Sequence, residues 1–375
     1  MQVLQVIDSL RIGGAQKLML TFAEQARAHQ VKLTVVSLSE FSQGMALAED
    51  LRAIGAEVLV FPANNLFTFA RLRDFTRFLK ERKFSVVHTH LTYANIIAGL
   101  AGKITRTPLI STLHSTAVDR RHAHFLRDKI ELMILSSVNK VLGVGKSVSD
   151  IYEPILGREV SVLANAVDEN TKLTKQEYKT LRAQIGLASS QPTFISVGRL
   201  SPDKDVDGLL QAFSIIRKSA QNAVLLIVGD GELRPELEEK AQSLGLEKAV
   251  FWLGMRNDVP KLLAVSDVYI SASRREGLPI SLLEAMMAAL PMVVTDVGEV
   301  AALVGDDAGI LVPHSEPTLL AEAALRVLEM PNYGKFLGEA GLARARKDYG
   351  AKQWFMRLMN IYEEITPVAR EQAYA

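Results

Sequence analysis

Two carboxylates eight residues apart, Glu276 and Glu284, bracket the start of EGLPISLLE, and the run that follows, ISLLEAMMAAL at 280–290, is apolar on every side. A helix without a polar face is a buried helix, and a buried carboxylate is costly unless a cation or a hydrogen-bond donor meets it. Pro279 suits the first position of a helix, where an N–H is not needed, so the bare N–H groups of Ile280 and Ser281 are expected at the helix start. Such a start favours an anion, and a phosphate fits. Upstream, VGRLSPDKDVDGLL places Arg199 and Lys204 in a strand-to-helix loop. Arg with its forked donors and Lys as a point charge suit a diphosphate. Glu276 in the turn and Glu284 within the helix could then take hydroxyls on either side, Glu276 from a sugar and Glu284 from a ribose. The chemistry that this pattern suits is binding of a sugar nucleotide. Two plainer readings stay open: an ion pair between Glu284 and a buried cation of its own domain, and a pair of solvated loop cations at Arg199 and Lys204.

Gly13 and Gly14 follow the first apolar strand and precede a helical pattern, where bare backbone N–H groups could hold another phosphate or make a plain tight turn. GxGxxG is absent there and GxxxxGK[ST] is absent throughout, which disfavours a dinucleotide fingerprint and a P-loop.

These groups need a scaffold, and the chain alternates its elements regularly. VLQVIDSL, LTVVSL, VLVFP, VVHTH, PLISTLHS and VLGVGKS each precede or follow a helical pattern. After the polar stretch from Glu169 to Gln191 a second series begins with TFISVGRL, AVLLIVGDG, AVFWLG, DVYISAS, MVVTDV and ILVP. Near-continuous apolar runs alternating with helices predict parallel sheets covered on both faces. At 375 residues the chain exceeds what one core usually fills. The expectation is α/β with two doubly wound domains, 1–165 and 166–350, joined by a linker at about 165–190. A C-terminal helical segment, 351–375, is expected to pack back on the first domain, and ligands to collect in a cleft beyond the strands' carboxyl ends.

Composition narrows the class. The chain is 48% hydrophobic and 23% charged, which fits an ordinary globular protein. With no cysteine it has neither disulfides nor thiolate chemistry. No run approaches the roughly 18–20 apolar residues of a spanning helix, and the N-terminus does not read as a signal peptide, so a cytoplasmic protein is expected. Residues 1–160 carry 20 Lys and Arg against 14 Asp and Glu, a net +6, leaving 23 against 28, a net −5, for the remainder. The basic half hints at an anionic partner. No nucleic-acid reading motif accompanies that charge, so nucleic-acid binding is not expected. Arg71, Arg73, Arg77, Lys80, Arg82 and Lys83 interleave with Phe67, Phe69, Phe75, Phe78 and Phe84. Such a segment, 67–84, either lies on an anionic bilayer as a peripheral contact or buries its rings in the domain. Arg120, Arg121, His122, His124 and Arg127 form a second basic cluster.

GGAQ, VVHTH, STLHS, VGRLSPDK, VGDGELRPEL and EGLPISLLEA, in this order along the chain, together resemble glycosyltransferase family 4, a retaining family of the GT-B architecture with two facing Rossmann-like domains. The resemblance covers essentially the whole chain. It implies that Gly13 and Gly14 lie near donor and acceptor, that Arg199 and Lys204 hold the diphosphate, and that Glu276 and Glu284 are the paired carboxylates. It also implies that His114 contacts the transferred sugar, and that Gly229, with Met255, Arg256 and Asn257, lies along the nucleotide base. Gly277, Leu278, Pro279 and Ile280 complete the donor loop, with Glu276, His114, Arg199 and Lys204 as the catalytic set. Three positions depart from the family: Ala166 and Ala289 where glycine is usual, and VGEVAALV after the last site strand.

The expected function is transfer of a sugar, with retention, from a nucleotide diphosphate sugar to a glycan or lipid-linked hydroxyl in bacterial-type polysaccharide or glycoconjugate synthesis. A UDP-sugar is expected ahead of a GDP-sugar. No metal or other cofactor is expected, because the cations and the helix start stabilise the leaving group, and the resemblance implies that the leaving phosphate itself helps deprotonate the acceptor; Asp306 and Asp307 read as solvated. A sugar-nucleotide epimerase, a phosphorylase, or a non-catalytic partner of another transferase are the alternatives.

Overall fold

The computed structural model describes residues 1–11, 13–39, 46–61, 68–115, 125–169, 173–188 and 191–366. The chain divides into two units, residues 1–166 with 351–375 and residues 167–350.

The first unit runs β1 (Gln2–Ile7), α1 (Gly14–Ala28), β2 (Lys32–Ser37), α2 (Ala46–Ile54), β3 (Glu57–Val60), α3 (Phe69–Arg82), β4 (Val86–His90), α4 (Thr92–Thr105), β5 (Leu109–Leu113), α5 (Phe125–Leu135), β6 (Lys140–Gly143), α6 (Lys146–Leu156) and β7 (Ser161–Val162). Its seven strands are parallel in the order β3-β2-β1-β4-β5-β6-β7. The second unit runs α7 (Lys175–Ile185), β8 (Thr193–Val197), α8 (Val206–Ser219), β9 (Val224–Val228), α9 (Arg234–Ser243), β10 (Val250–Gly254), α10 (Val259–Ala264), β11 (Val268–Ser271), α11 (Ile280–Met287), β12 (Met292–Thr295), α12 (Val300–Val304), β13 (Gly309–Val312), α13 (Pro317–Glu329) and α14 (Pro331–Asp348). Its six parallel strands are ordered β10-β9-β8-β11-β12-β13. Both are Rossmann-like doubly wound sheets, the GT-B fold. Winding reverses between β1 and β4 in one sheet and between β8 and β11 in the other, so a crevice opens at the carboxyl ends of each of those strand pairs.

The stretch 169–191 is more than a linker. A capping box, in which Thr174 and Glu177 satisfy each other's backbone N–H, starts α7. Arg182, 3% exposed, then fastens α7 to the second unit by donating to the carbonyls of Val265, Ala188 and Gln191 at 2.7–2.9 Å. Its polar sequence concealed a helix because a buried guanidinium satisfied by carbonyls leaves no apolar period to read.

The C-terminal helix α15 (Ala351–Ile365) returns to the first unit. Phe22 on α1 meets Phe355 at 5.1 Å, Tyr362 at 6.1 Å and Trp354 at 6.3 Å between ring centroids. α14, whose Gly334, Gly338 and Gly341 obscure its periodicity, sets Gly338 against the Ala289–Leu290 backbone after α11, Gly341 beside Met286, Met292 and Ala308, and Gly334 beside Val327 of α13 and Pro291.

The basic, aromatic segment is resolved by packing. Phe75 and Phe84 are buried, Phe61, Phe75, Phe78 and Phe84 form a chain of ring contacts at 5.2–5.8 Å, and Arg71, 4% exposed, donates to the Leu38 carbonyl at 2.7 Å. Those rings and that arginine belong to the domain interior, which leaves Phe69, 80% exposed, with Arg73, Arg77 and Lys80 on the outside. Phe67 and the cluster 120–124 lie outside the described residues. Arg127 pairs with Asp128 and stacks over Tyr93. No helix among the described residues is long and apolar enough to cross a membrane.

Removing the α15 ring that sits closest to Phe22 should open a cavity. Phe355→Ala is expected to cost about 3–5 kcal/mol in urea unfolding followed by tryptophan fluorescence. A loss below about 1 kcal/mol would show that α15 is not docked as described.

Candidate active site

In the second unit the site is built on β8 and β11, neighbours at the winding reversal. The loop after β8 carries Arg199, Lys204 and Asp205, and the loop after β11 carries Ser273, Arg274 and Glu276. Three short contacts, beside a longer Arg275–Asp203 ion pair at 3.5 Å, stitch these loops together. Lys204 Nζ lies 2.5 Å from Glu276 Oε1, the Arg274 guanidinium grips both Asp205 carboxylate oxygens at 2.9 and 3.1 Å, and the Arg274 N–H donates to the Asp203 carbonyl at 2.8 Å. Asp205, 7% exposed, adopts φ +44 and caps α8 by accepting the Gly208 N–H.

Glu276 is therefore not free to swing. Ser273 Oγ also donates to its Oε1 at 2.7 Å, and Lys204 is its counter-ion rather than an unpaired point charge. Gly298 lies behind it. At φ +56 a Cβ on that residue would come within 1.9 Å of the Glu276 carbonyl oxygen, so the VGEVAALV loop needs glycine there to approach so closely. The Glu299 N–H donates to Gly277 O, and Leu278 is buried beneath. Arg199, by contrast, is exposed, and its guanidinium makes no ion pair or hydrogen bond among the described residues.

α11 is as apolar as expected but shorter, ending at Met287. Pro279 occupies the N-cap, one position before the first helical residue, so the N–H groups of Ile280 and Ser281 open the helix. Glu284 is 6% exposed within it. Tyr269 Oη lies 3.0 Å from Ser281 Oγ, and burial, with both glutamates nearby, pushes its phenol well up. Ala289 stands at φ +57, in the left-handed region that explains glycine's usual presence there. Around the third neighbour, β9, Gly229 at φ +132 would place a Cβ 1.9 Å from the Gly198 carbonyl, so its glycine is demanded by backbone packing. Arg256 is held bidentately by Asp258 at 2.7–2.8 Å, while Met255 and Asn257 are exposed. Asp306 is exposed, as expected, and Asp307, its side chain half exposed, also pairs with Arg344 at 2.6 Å. Among the described residues no group of three or more His, Asp or Glu is placed to hold a metal ion.

In the first unit Gly13 is the extended N-cap of α1, and Gly14 is its first residue. His114 follows β5 and meets His90 of β4, with Nε2 and Nδ1 2.9 Å apart. His88, two residues earlier on the same face, bonds Tyr362 Oη at 2.7 Å and Thr112 Oγ1 at 2.6 Å. Burial pushes His88 down to about 3 and His114 to about 4, and depresses His90 strongly. Asp8, at the carboxyl end of β1, accepts the N–H groups of Ala94 and Tyr93 at 2.7 and 3.2 Å, which caps α4 from a distant strand. Burial nevertheless pushes its carboxyl up to about 6. Glu131, bonded by Asn95 at 2.8 Å, is raised by burial as well. Sequence reading missed His88, His90, Asp8, Asp205 and Arg274. Only the strand period of VVHTH, which turns both histidines to one face, could have pointed to any of them.

Ala289→Gly should remove the left-handed strain and raise stability by up to about 1 kcal/mol after the extra unfolded-state freedom of glycine, measured by thermal unfolding. A decrease would contradict the strained backbone. Asp8 provides a pH test. Because its folded value lies above the ordinary 3.8, the stability it contributes is present below that value and is lost as pH rises through about 6. Wild type should therefore lose about 2–3 kcal/mol relative to Asp8→Asn between acid and neutral pH in urea titrations, while Asn still accepts the α4 N–H groups. A pH-independent difference would refute the assignment.

Comparison with known proteins covers nearly the whole chain. The family model described as Glycosyltransferase Family 4 matches residues 12–171, and the one described as Glycosyl transferases group 1 matches 177–344. The UDP-Gal:alpha-D-GlcNAc-diphosphoundecaprenol alpha-1,3-galactosyltransferase of Escherichia coli is 25% identical over 333 residues, covering 85% of each chain. The alpha-D-kanosaminyltransferase of Streptomyces kanamyceticus is 26% identical, covering 74% of this chain and 77% of its own. Among solved structures, Anabaena Alr3699/HepE in complex with UDP-glucose aligns with a TM-score of 0.84 at 22% identity, covering 96% of this chain and 99% of that one. With both sheets, the site motifs and both family models in agreement, the chain belongs to glycosyltransferase family 4.

Proposed function

We propose that the chain transfers a sugar, with retained configuration, from a UDP-sugar to a hydroxyl of a glycan or lipid-linked acceptor. The observation that carries this reading is the pair of stitched loops after β8 and β11. There Arg199, which has no ion pair or hydrogen bond among the described residues, follows β8, and the open start of α11 follows the neighbouring β11 with Glu276, which Lys204 pairs. Arg199 and the N–H groups of Ile280 and Ser281 take the diphosphate, and Lys204 spans the phosphate and Glu276. Glu276 orients sugar hydroxyls, and Glu284 receives the ribose hydroxyls. As the glycosidic bond loosens, negative charge grows on the departing diphosphate, and these fixed donors stabilise it more in the transition state than in the ground state. That phosphate takes the acceptor's proton on the face it leaves, which accounts for retention without a protein nucleophile. The reaction in this reading needs no divalent metal. The named activity of the Escherichia coli relative, a UDP-Gal donor and a diphosphoundecaprenol acceptor, supports the choice of donor and acceptor class.

UDP, GDP and ADP sugars should be separable by thermal shift: a ligand at about 100 times its dissociation constant adds roughly 2.7 kcal/mol, and UDP-sugars should give the largest shift. Glu284→Gln should weaken UDP binding about tenfold, whereas Glu276→Ala should cut turnover about a hundredfold with a smaller effect on UDP affinity. EDTA should leave turnover unchanged. Unaltered activity in both glutamate variants would discard the site. Sugar phosphate as a product, or an epimerised nucleotide sugar, would identify a phosphorylase or an epimerase instead.

A further inference from the structure

Away from the nucleotide loops, one buried polar arrangement in the first unit has a loose end. β4 turns His88 and His90 to the same face of the sheet, their rings 4.3 Å apart. His88 is saturated, with Tyr362 on one nitrogen and Thr112 on the other. His90 is not: Nδ1 faces His114 Nε2 at 2.9 Å, while Nε2, in a residue only 4% exposed, has no hydrogen-bond partner among the described residues.

A neutral imidazole carries one N–H and one lone pair. A proton on His90 Nε2 would be an orphaned buried donor, which native structures tolerate less readily than an idle acceptor. The proton therefore sits on Nδ1 and is donated to His114 Nε2. Accepting there, His114 must carry its own proton on Nδ1. The half-buried His114 makes no other hydrogen bond to the described residues, so this N–H is what it presents beyond the carboxyl end of β5. Burial keeps all three rings neutral at physiological pH.

We propose that His90 is a positioning residue for sugar transfer, locking His114 in the Nδ1–H tautomer so that His114 offers a donor, not a lone pair, to an oxygen of the transferred sugar. His88, held between Thr112 and Tyr362, is the floor that keeps the His90 ring from turning away. The catalytic consequence rests on the sugar-transfer reading above; the tautomer does not.

Two measurements separate these. Protein labelled with nitrogen-15 histidine, its His114 signals assigned by their loss in His114→Asn, should show His114 protonated at Nδ1 in two-bond proton–nitrogen spectra at neutral pH. His90→Leu should shift His114 toward the Nε2–H form. Wild-type His114 protonated at Nε2 would overturn the proposal whatever the enzyme's substrate. For activity, UDP release is followed with whichever of UDP-glucose, UDP-galactose or UDP-N-acetylglucosamine the wild type cleaves fastest. His90→Leu should lower kcat about tenfold or more with donor KM changed less than about threefold. His90→Asn, whose amide keeps a donor near the Nδ1 position, should recover most of that loss. The double variant His90→Leu/His114→Ala should be no slower than His114→Ala alone. Full turnover in His90→Leu, no recovery in His90→Asn, or losses that multiply would each overturn the proposal. No UDP release by wild type from any of the three sugars would instead refute the sugar-transfer reading and leave the tautomer to the spectra.

Discussion

The second unit depends on one buried carboxylate. Asp205 sits at φ +44, caps α8 with its side chain and holds Arg274 bidentately. That single residue sets the distance between the loops after β8 and β11, and with it the reach that lets Lys204 touch Glu276. The penalty of a left-handed aspartate and of a buried charge is offset because its oxygens are met by a helix N–H and a guanidinium. The pairing makes the site stiff before any ligand arrives, which is the condition under which fixed charges act on a transition state without reorganising.

Close backbone approach is the second constraint. Gly229 and Gly231 lie against the carbonyls of Gly198 and Leu200, and Gly298 lies against Glu276, so the ends of four neighbouring strands, β9 with β8 and β12 with β11, bring their loops into close contact in pairs. A Cβ at any of these positions would push the layers apart by more than an ångström and carry the charged groups with them. The glycines of VGDGE thus have a structural reason that stands independently of any nucleotide lying along them.

The first unit is organised differently, around polar groups beneath α1 and α15. Tyr362 reaches back to His88, and His88 stacks on His90, which bonds His114. Asp8 joins β1 to the start of α4. Partners from different elements meet these groups, while His90 Nε2 and Gln5 Oε1 are among the buried side-chain atoms left without a hydrogen bond among the described residues. The helix α15 contributes to this floor although it follows the whole second unit in sequence, so the two crossings of the chain tie its far end to its first strand.

Local information was enough for much of this. Continuous apolar runs alternating with helices fixed two parallel sheets, because strands buried on both faces leave no other pattern. The spacing of Glu276, Pro279 and Glu284 around an apolar helix marked a buried carboxylate beside an open helix start, and Arg199 and Lys204 marked the loop facing it. What the amino-acid order could not settle is anything that depends on partners far apart in the chain. Lys204 was legible as a cation but not as the counter-ion of Glu276, 72 residues away, and VVHTH was legible as a strand but not as one partner of Tyr362, 274 residues later. Helix α7 was hidden because its anchor is a buried arginine, and the Phe-rich face of α3 could have met lipid or protein until Phe61 and Phe84 closed over it. Propensity and periodicity act within a few residues and are written in the sequence itself; ion pairing, tautomers and burial arise from which strands neighbour each other, and only the folded chain decides that.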